Sequence, residues 1–369
     1  MKKILIFTAG YGEGHNTAAR SLQAAVKHIA GDDIADARVI DLFDECYGGF
    51  NNLVRKAYIG IINRAPKIWA RIYLWLDRST ALETNLGLLS RMCTRLADLL
   101  EREKPDVVIS TYPVYNYLIH HIYAKGKPRP FLQITIVTDS ITVNSVWYRG
   151  GSDYFIVPNE DTAKVMRDKG VAQEKIQVLG FPVTHRFSTE AVFRQPPLDG
   201  KGRVLYMINS GKSEAPNLVR RLLELPDIQL TVTVGRDAAL LAAVDKVIAA
   251  SGKTVEVYGW TDKLAALLMN NHLLISKAGG ATVQETIAAK TPMLIMQVVP
   301  GQEEGNAQLL LDHQCGALTE TTDAIVKVVD EAFRNSSQVW QKWEQNITRL
   351  SRPDAALVIA RFVLDLKQA

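Results

Sequence analysis

Short apolar runs rich in β-branched residues recur along the chain, and longer stretches with apolar positions every three or four residues separate them. The runs "KILIFTA", "ARVIDL", "DVVIST", "LQITIVTD", "YFIVP" and "IQVLG" in the first half predict strands, as do "RVLYMIN", "IQLTVTVG", "TVEVYG", "HLLISKA" and "PMLIMQ" in the second. Segments between them, such as "NTAARSLQAAVKHIA" and "ATVQETIAAK", predict helices. This alternation calls for parallel sheets covered by helices on both faces, an α/β fold. Eleven strands would overfill one sheet, and "FSTEAVFRQPPLDGKG" (187–202) interrupts the rhythm with prolines and glycines. The expectation is therefore two Rossmann-like, doubly wound domains, 1–186 and 203–352, facing each other across a cleft and joined by the linker 187–202. Pro353 opens a last amphipathic helix within 353–369, which packs in the second domain or crosses back to the first.

Composition narrows the setting. The 369 residues suit two domains, and 47% hydrophobic with 22% charged residues is ordinary for a globular chain with sizeable cores. Cys46, Cys93 and Cys315 lie far apart, which suggests a reducing compartment and gives no metal-type spacing. No apolar run approaches the roughly 18 residues of a spanning helix, and the first is too short for a secretory leader. A cytoplasmic protein that meets any membrane from the side is the expectation. The net charge of +4 is too small to call for nucleic acid but suits attraction to an anionic surface.

One segment breaks the pattern. Residues 47–79, between the second and third strands, are too long for a simple crossover. They carry Arg55, Lys56, Arg64, Lys67, Arg71 and Arg78 against the single acid Asp77, interleaved with Tyr58, Trp69, Tyr73 and Trp75. Basic residues with interfacial aromatics suit a helix lying among lipid headgroups. An inserted helical pair with its aromatics packed inward fits the same composition.

Three kinds of loop carry candidate chemistry. In "GYGEGH", Gly10, Gly12 and Gly14 allow close backbone approach, and the following helix offers free amides. Asp41 could serve as the acid of a dinucleotide site, but the glycine spacing is wrong for one and His15 stands where the helix begins. The helix dipole disfavours protonated His15, so its imidazole can take a proton; a histidine that merely caps its own helix is the plainer reading. In the second half, "INSGKSEA" offers Ser210 and Gly211, and "SKAGGATVQE" offers Gly279 and Gly280, as diphosphate contacts. Glu285, whose carboxylate only accepts hydrogen bonds, suits a ribose diol. Gln302, Glu303, Glu304 and Asn306 in "VVPGQEEGNAQ" suit sugar hydroxyls. Each could also be an ordinary feature of a helix N-terminus.

The motifs "YGEGH", "KPDVVISTYP", "TDS" (138–140), "GFPV" (180–183), "GGATVQE" and "PGQEEGNA", in that order, resemble glycosyltransferase family 28. The likeness is to its glycolipid branch, the plant monogalactosyldiacylglycerol synthases and bacterial processive diacylglycerol glucosyltransferases. The chain is more distantly similar to the peptidoglycan lipid-intermediate N-acetylglucosaminyltransferase. This resemblance implies a GT-B fold with an acceptor domain first and a nucleotide-sugar domain second. It implies that Gly279 and Gly280, with Thr282, receive the diphosphate and Glu285 the ribose, that Gln302, Glu303 and Asn306 meet the hexose, and that Gly259 and Trp260 lie at the uracil. His15 falls near the reaction centre, Gly14 beside it is expected to contact the donor, and residues 47–79 fall where the family docks on anionic lipid. "SKAGG" and the extra acid of "GQEEGN" depart from the family's usual forms.

The expected activity is inverting transfer of glucose or galactose from a UDP-sugar to diacylglycerol or a related lipid, at the inner face of the cell membrane. His15 is the candidate base, with Asp139 as a second carboxylate or its orienting partner. The sequence has no Asp-x-Asp pair, so no metal or other cofactor is expected for the chemistry. An N-acetylglucosamine transferase acting on another lipid-linked acceptor, a GT-B sugar-nucleotide epimerase and a non-enzymatic binding protein are the alternatives. The oligomeric state is open.

Overall fold

Leu5 and Phe7 of the first strand, β1 (Lys2–Phe7), join one buried cluster, and Ile4 and Ile6 join another on the opposite face. That two-sided burial is why the strand reads as an unbroken apolar run. The computed structural model describes residues 1–84, 86–124, 128–190, 201–301 and 303–367. They form two units: Met1–His185 with Val299–Gly305 and Asp354–Ala369, and Arg186–Val298 with Asn306–Pro353.

In the first unit β1 is joined by β2 (Ala35–Ile40), β3 (Val107–Ser110), β4 (Leu132–Ile136), β5 (Tyr154–Val157) and β6 (Ile176–Val178). All pair in parallel, in the order β2-β1-β3-β4-β5-β6. Helix α1 (Glu13–Ile34) buries Ala19, Leu22 and Val26 on one face, together with Leu357, Ile359 and Val363 of the last helix, Ala355–Asp365. That last helix belongs to the first unit. Lys2 Nζ donates to the carbonyls of Val363 (2.8 Å) and Leu364 (3.0 Å) at its C-terminal end, where a cation is favoured. Helices Ser90–Glu103 and Val114–Ile122 cover the other face through Leu96, Leu100, Tyr115 and Leu118.

After β2 the chain enters α2 (Leu42–Arg64), broken at Gly48, and then α3 (Pro66–Arg78). Asp41 starts α2 by accepting from Phe43 N at 3.0 Å and Asp44 N at 3.3 Å, and Pro66 opens α3 at a position where its missing N–H costs nothing.

The second unit holds β7 (Gly202–Met207), β8 (Ile228–Gly235), β9 (Glu256–Gly259), β10 (Leu273–Lys277), β11 (Met293–Gln297) and β12 (Gly316–Leu318), parallel in the order β12-β11-β10-β7-β8-β9. The twelfth strand has only three residues and begins with glycine, which is why no apolar run announces it. At the unit's start, Arg186–Thr189 is a helical turn with Phe187 buried, so the interdomain linker expected at 187–202 begins with structured residues; 191–200 lie outside the described residues. Each sheet reverses its strand order once, between β1 and β3 in one unit and between β7 and β10 in the other. The crevice at the strands' C-terminal ends is where such sheets take ligands.

Candidate active site

The first reversal point is occupied by His15. No described side chain caps α1, and His15 lies in its first turn. Its Nδ1 stands 2.8 Å from the carbonyl of Thr111, which follows β3, and 3.0 Å from Thr138 Oγ1, which follows β4. A carbonyl only accepts, so Nδ1 carries the proton and Nε2 presents its lone pair. Nε2 has no partner among the described residues. Burial pushes the imidazole pKa down to about 4, against the Thr111 bond, which raises it. At neutral pH His15 is thus a neutral ring with a fixed tautomer. Tyr112 meets it edge-on at 5.1 Å between ring centres, and Trp147 lies at 5.9 Å.

Asp139 sits beside this ring cluster. Its Oδ2 accepts from Trp147 Nε1 at 2.8 Å and from the Tyr73 hydroxyl at 3.3 Å. Burial raises its pKa to about 6, and these two bonds hold it from going higher. The orienting partner of His15 is the Thr111 carbonyl, a position the sequence reading had offered to Asp139. Asp41, considered as a dinucleotide acid, is consumed locally: beyond its cap, its Oδ2 accepts from Gly10 N at 2.9 Å.

The basic-aromatic segment divides by face. Tyr58 packs on Tyr11, Trp69 on Tyr58 and Tyr73 on Trp69, so three of the four aromatics interleaved with its basic residues point inward, whereas Trp75 points out, 59% exposed. Arg55 is half-buried against the glycine loop: a Cβ on Gly10 would stand 2.9 Å from its guanidinium. The outward residues are Lys56, Arg71, Trp75 and Arg78, joined by Phe50, Leu53, Ile68 and Leu74, which the sequence reading had not singled out. The side chains of Arg64 and Lys67 lie outside the described residues. No helix among the described residues is long and apolar enough to cross a membrane.

The second reversal point gathers the glycine loops. Ser210 and Gly211 follow β7, and Gly279 and Gly280 follow the neighbouring β10, with Lys277 N donating to Asn209 Oδ1 at 3.4 Å between them. Ser210 Oγ is buried with no partner among the described residues. Gly211 adopts φ +59°, a conformation that glycine takes without strain. Gly279 N is spent on the Lys277 carbonyl at 2.9 Å. Free donors therefore begin at Gly280 and run to Thr282 in the first turn of the helix Gly280–Ala288, which no described side chain caps. Glu285 is half-buried on the same helix.

Beyond β11, Asn306 is 3% exposed; its Nδ2 donates to the Ala278 carbonyl at 3.3 Å, and its Oδ1 has no described partner. Glu303, expected to face a sugar, instead closes its own loop: its Oε2 accepts from Val299 N at 3.0 Å. Glu304 is exposed, and Gln302 lies outside the described residues. Gly259 ends β9 and Trp260 follows it, with Arg236 over the exposed Trp260 ring at 4.9 Å. Next to Gly211, a cavity of about 510 Å³ is lined by Tyr206, Glu214, Met296 and Glu320 among others, with the buried Tyr206 hydroxyl unpartnered among the described residues. Sequence reasoning missed this cavity. It also missed Thr111, Thr138 and Trp147, although the first two lie in or beside quoted motifs. Among the described residues no three His, Cys, Asp or Glu side chains converge to hold a metal ion.

Two family profiles match the chain: monogalactosyldiacylglycerol (MGDG) synthase over residues 15–183, and the glycosyltransferase family 28 C-terminal domain over 212–357. The chain is 24% identical over 374 residues to a processive diacylglycerol β-glucosyltransferase of Bacillus cytotoxicus, covering 100% of this chain and 94% of that one. It is 26% identical over 384 residues to a probable chloroplastic monogalactosyldiacylglycerol synthase of Glycine max, covering 99% and 71%. The crystal structure of Acinetobacter baumannii MurG matches with a TM-score of 0.64 at 13% identity over 99% of this chain and 100% of that one, a likeness of fold alone. The fold is GT-B, and the chain belongs to glycosyltransferase family 28, in the branch of the monogalactosyldiacylglycerol synthases.

Proposed function

We propose that this enzyme moves a hexose from a UDP-sugar to the free hydroxyl of diacylglycerol, with inversion at the anomeric carbon. The acceptor oxygen attacks that carbon from the face opposite the diphosphate. A new C–O bond forms as the bond to the β-phosphate oxygen breaks, and UDP leaves with the electron pair. The acceptor proton passes to His15 Nε2.

The observation that carries this reading is the His15 tautomer: Thr111 occupies Nδ1, which leaves Nε2 as the lone pair at a ligand-binding crevice. On the donor side, the amides of Gly280 to Thr282 and the Ser210 hydroxyl suit the growing negative charge on UDP. Glu285 is the ribose acceptor and Asn306 Oδ1 a hexose acceptor. These fixed dipoles take the place of a divalent cation, so activity should survive EDTA; loss restored by Mn²⁺ or Mg²⁺ would overturn that part.

On α3, Ile68, Arg71, Trp75 and Arg78 recur at three- and four-residue intervals and so share one exposed face. Apolar and aromatic residues between arginines suit the headgroup region of an anionic bilayer, and this supports a peripheral enzyme at the cytoplasmic face.

The test is UDP release from UDP-glucose, UDP-galactose and UDP-N-acetylglucosamine, each with and without diacylglycerol in liposomes of neutral or anionic lipid. Diacylglycerol-dependent release from a hexose donor, enhanced by anionic lipid, is expected. Donor turnover independent of any lipid would refute the proposal.

A further inference from the structure

The rings around His15 form a closed circuit. In one direction His15 meets Trp147, whose indole N–H reaches Asp139. In the other, Tyr112 stacks on Tyr11 at 5.9 Å, and Tyr58 carries the contacts on to Trp69 at 4.9 Å and so to Tyr73 at 6.3 Å. The Tyr73 hydroxyl closes the circuit on Asp139.

Tyr73 belongs to α3, and the inward face of that helix grips the loop 138–145. The single Tyr73 hydroxyl proton is shared between Asp139 Oδ2 and the Thr142 carbonyl, each at 3.3 Å. Asn144 Nδ2 donates to the Tyr73 carbonyl at 3.0 Å, and Ser145 N donates to Asp77 Oδ1 at 2.6 Å. The same loop begins with Thr138, whose hydroxyl touches His15 Nδ1. The ring of Tyr73 also lies against Gly301, where an added Cβ would come within 3.2 Å of it.

We propose that Tyr73 is a positioning residue that holds the loop 138–145, and with it Thr138 and the Asp139 carboxylate, in register with His15, so that the seating of α3 sets the proton-accepting geometry. The proposal rests on His15 being the base. When His15 takes the acceptor proton it becomes a cation against the Trp147 ring, and an ionised carboxylate bonded to the indole N–H stabilises that cation. The Tyr73 hydroxyl helps keep Asp139 ionised, since a hydrogen bond to the charged form favours it.

Tyr73→Phe removes the hydroxyl and keeps the ring against Trp69. Its kcat should fall about tenfold, the value of one hydrogen bond to a charged group. KM for the UDP-sugar and co-sedimentation with anionic vesicles should stay at wild-type values. The acid limb of the kcat profile should move toward higher pH, because Asp139 loses a bond that favours its ionised form. Asp77→Ala, which loosens the loop without touching Asp139, should lower kcat and leave the limb in place. Wild-type turnover in Tyr73→Phe, or a lowered kcat with an unmoved acid limb, would overturn the proposal. Full activity in His15→Ala would instead remove the base assignment on which it stands.

Discussion

Acid pH should act on His15 and Asp139 in opposite senses, and single variants should expose the two effects. His15 has an ordinary value of 6.5 and sits at about 4 in the fold. Between these values the unfolded chain binds a proton that the native protein does not, so stability falls as pH drops through this window. At about 1.4 kcal/mol per pH unit, the total is about 3 kcal/mol. Asp139 has an ordinary value of 3.8 and sits at about 6. Here the native state binds the extra proton, so stability rises by about 3 kcal/mol as pH falls from 6 toward 3.8. In the wild type the two contributions nearly cancel between pH 6 and 4. Asp139→Asn should remove the gain and leave the loss, so its urea midpoint should fall more steeply than that of the wild type between pH 7 and 4.5. His15→Asn should do the reverse. Unfolding would be followed by tryptophan fluorescence at pH 7, 5.5 and 4.5, comparing each variant's change with the wild type's. If both variants track the wild type at every pH, the two groups titrate at ordinary values, and the argument that His15 is held neutral by burial fails.

Three further outcomes are expected. His15→Ala should lower kcat by roughly 10² to 10⁴ while UDP binding, measured by calorimetry, is retained; lost UDP binding with unchanged turnover would make it a donor contact. Ser210→Ala should weaken UDP affinity by about 10- to 100-fold without lowering thermal stability, because it removes a buried hydroxyl that has no partner until the donor arrives; unaltered affinity would take Ser210 out of the site. Gly305→Ala should abolish most activity and lower the melting temperature, since its Cβ would stand 1.9 Å from the Ser140 carbonyl and neither backbone can yield cheaply; a variant as stable and active as wild type would mean that this approach is not kept in solution.

The contrast between the glycine loops and α3 shows where sequence reasoning holds. Gly10, Gly279 and Gly280 could be placed at strand-to-helix turns because the apolar run before and the helical period after are local signals. Along α3 the same method leaves two readings open. Trp75, Ile68, Ile72, Trp69 and Tyr73 fall on one wide apolar stripe, and a stripe that wide does not say which edge packs inward and which stays exposed. The tyrosines and Trp69 turn inward because Tyr11 and Asp139, from distant parts of the chain, supply partners for them. Glu303 is a similar case: beside Glu304 it looks like a sugar ligand, yet the tight turn leaves Val299 N within its reach.

The succession of eleven of the twelve strands along the chain, the helices between them and the glycine loops at their ends were legible in the sequence alone, because each rests on backbone preference and burial over a few neighbouring residues. The assignment of Val299–Gly305 and the last helix to the first unit was not. Which atoms meet at those edges was decided by the tertiary structure. His15 finds Thr111 and Thr138 only because β1, β3 and β4 lie side by side, and that brings together positions 96 and 123 residues apart. Strand order is a property of the whole sheet, set by how every helix covers its faces. The tautomer of His15, and with it the direction in which a proton can move, follows from that packing.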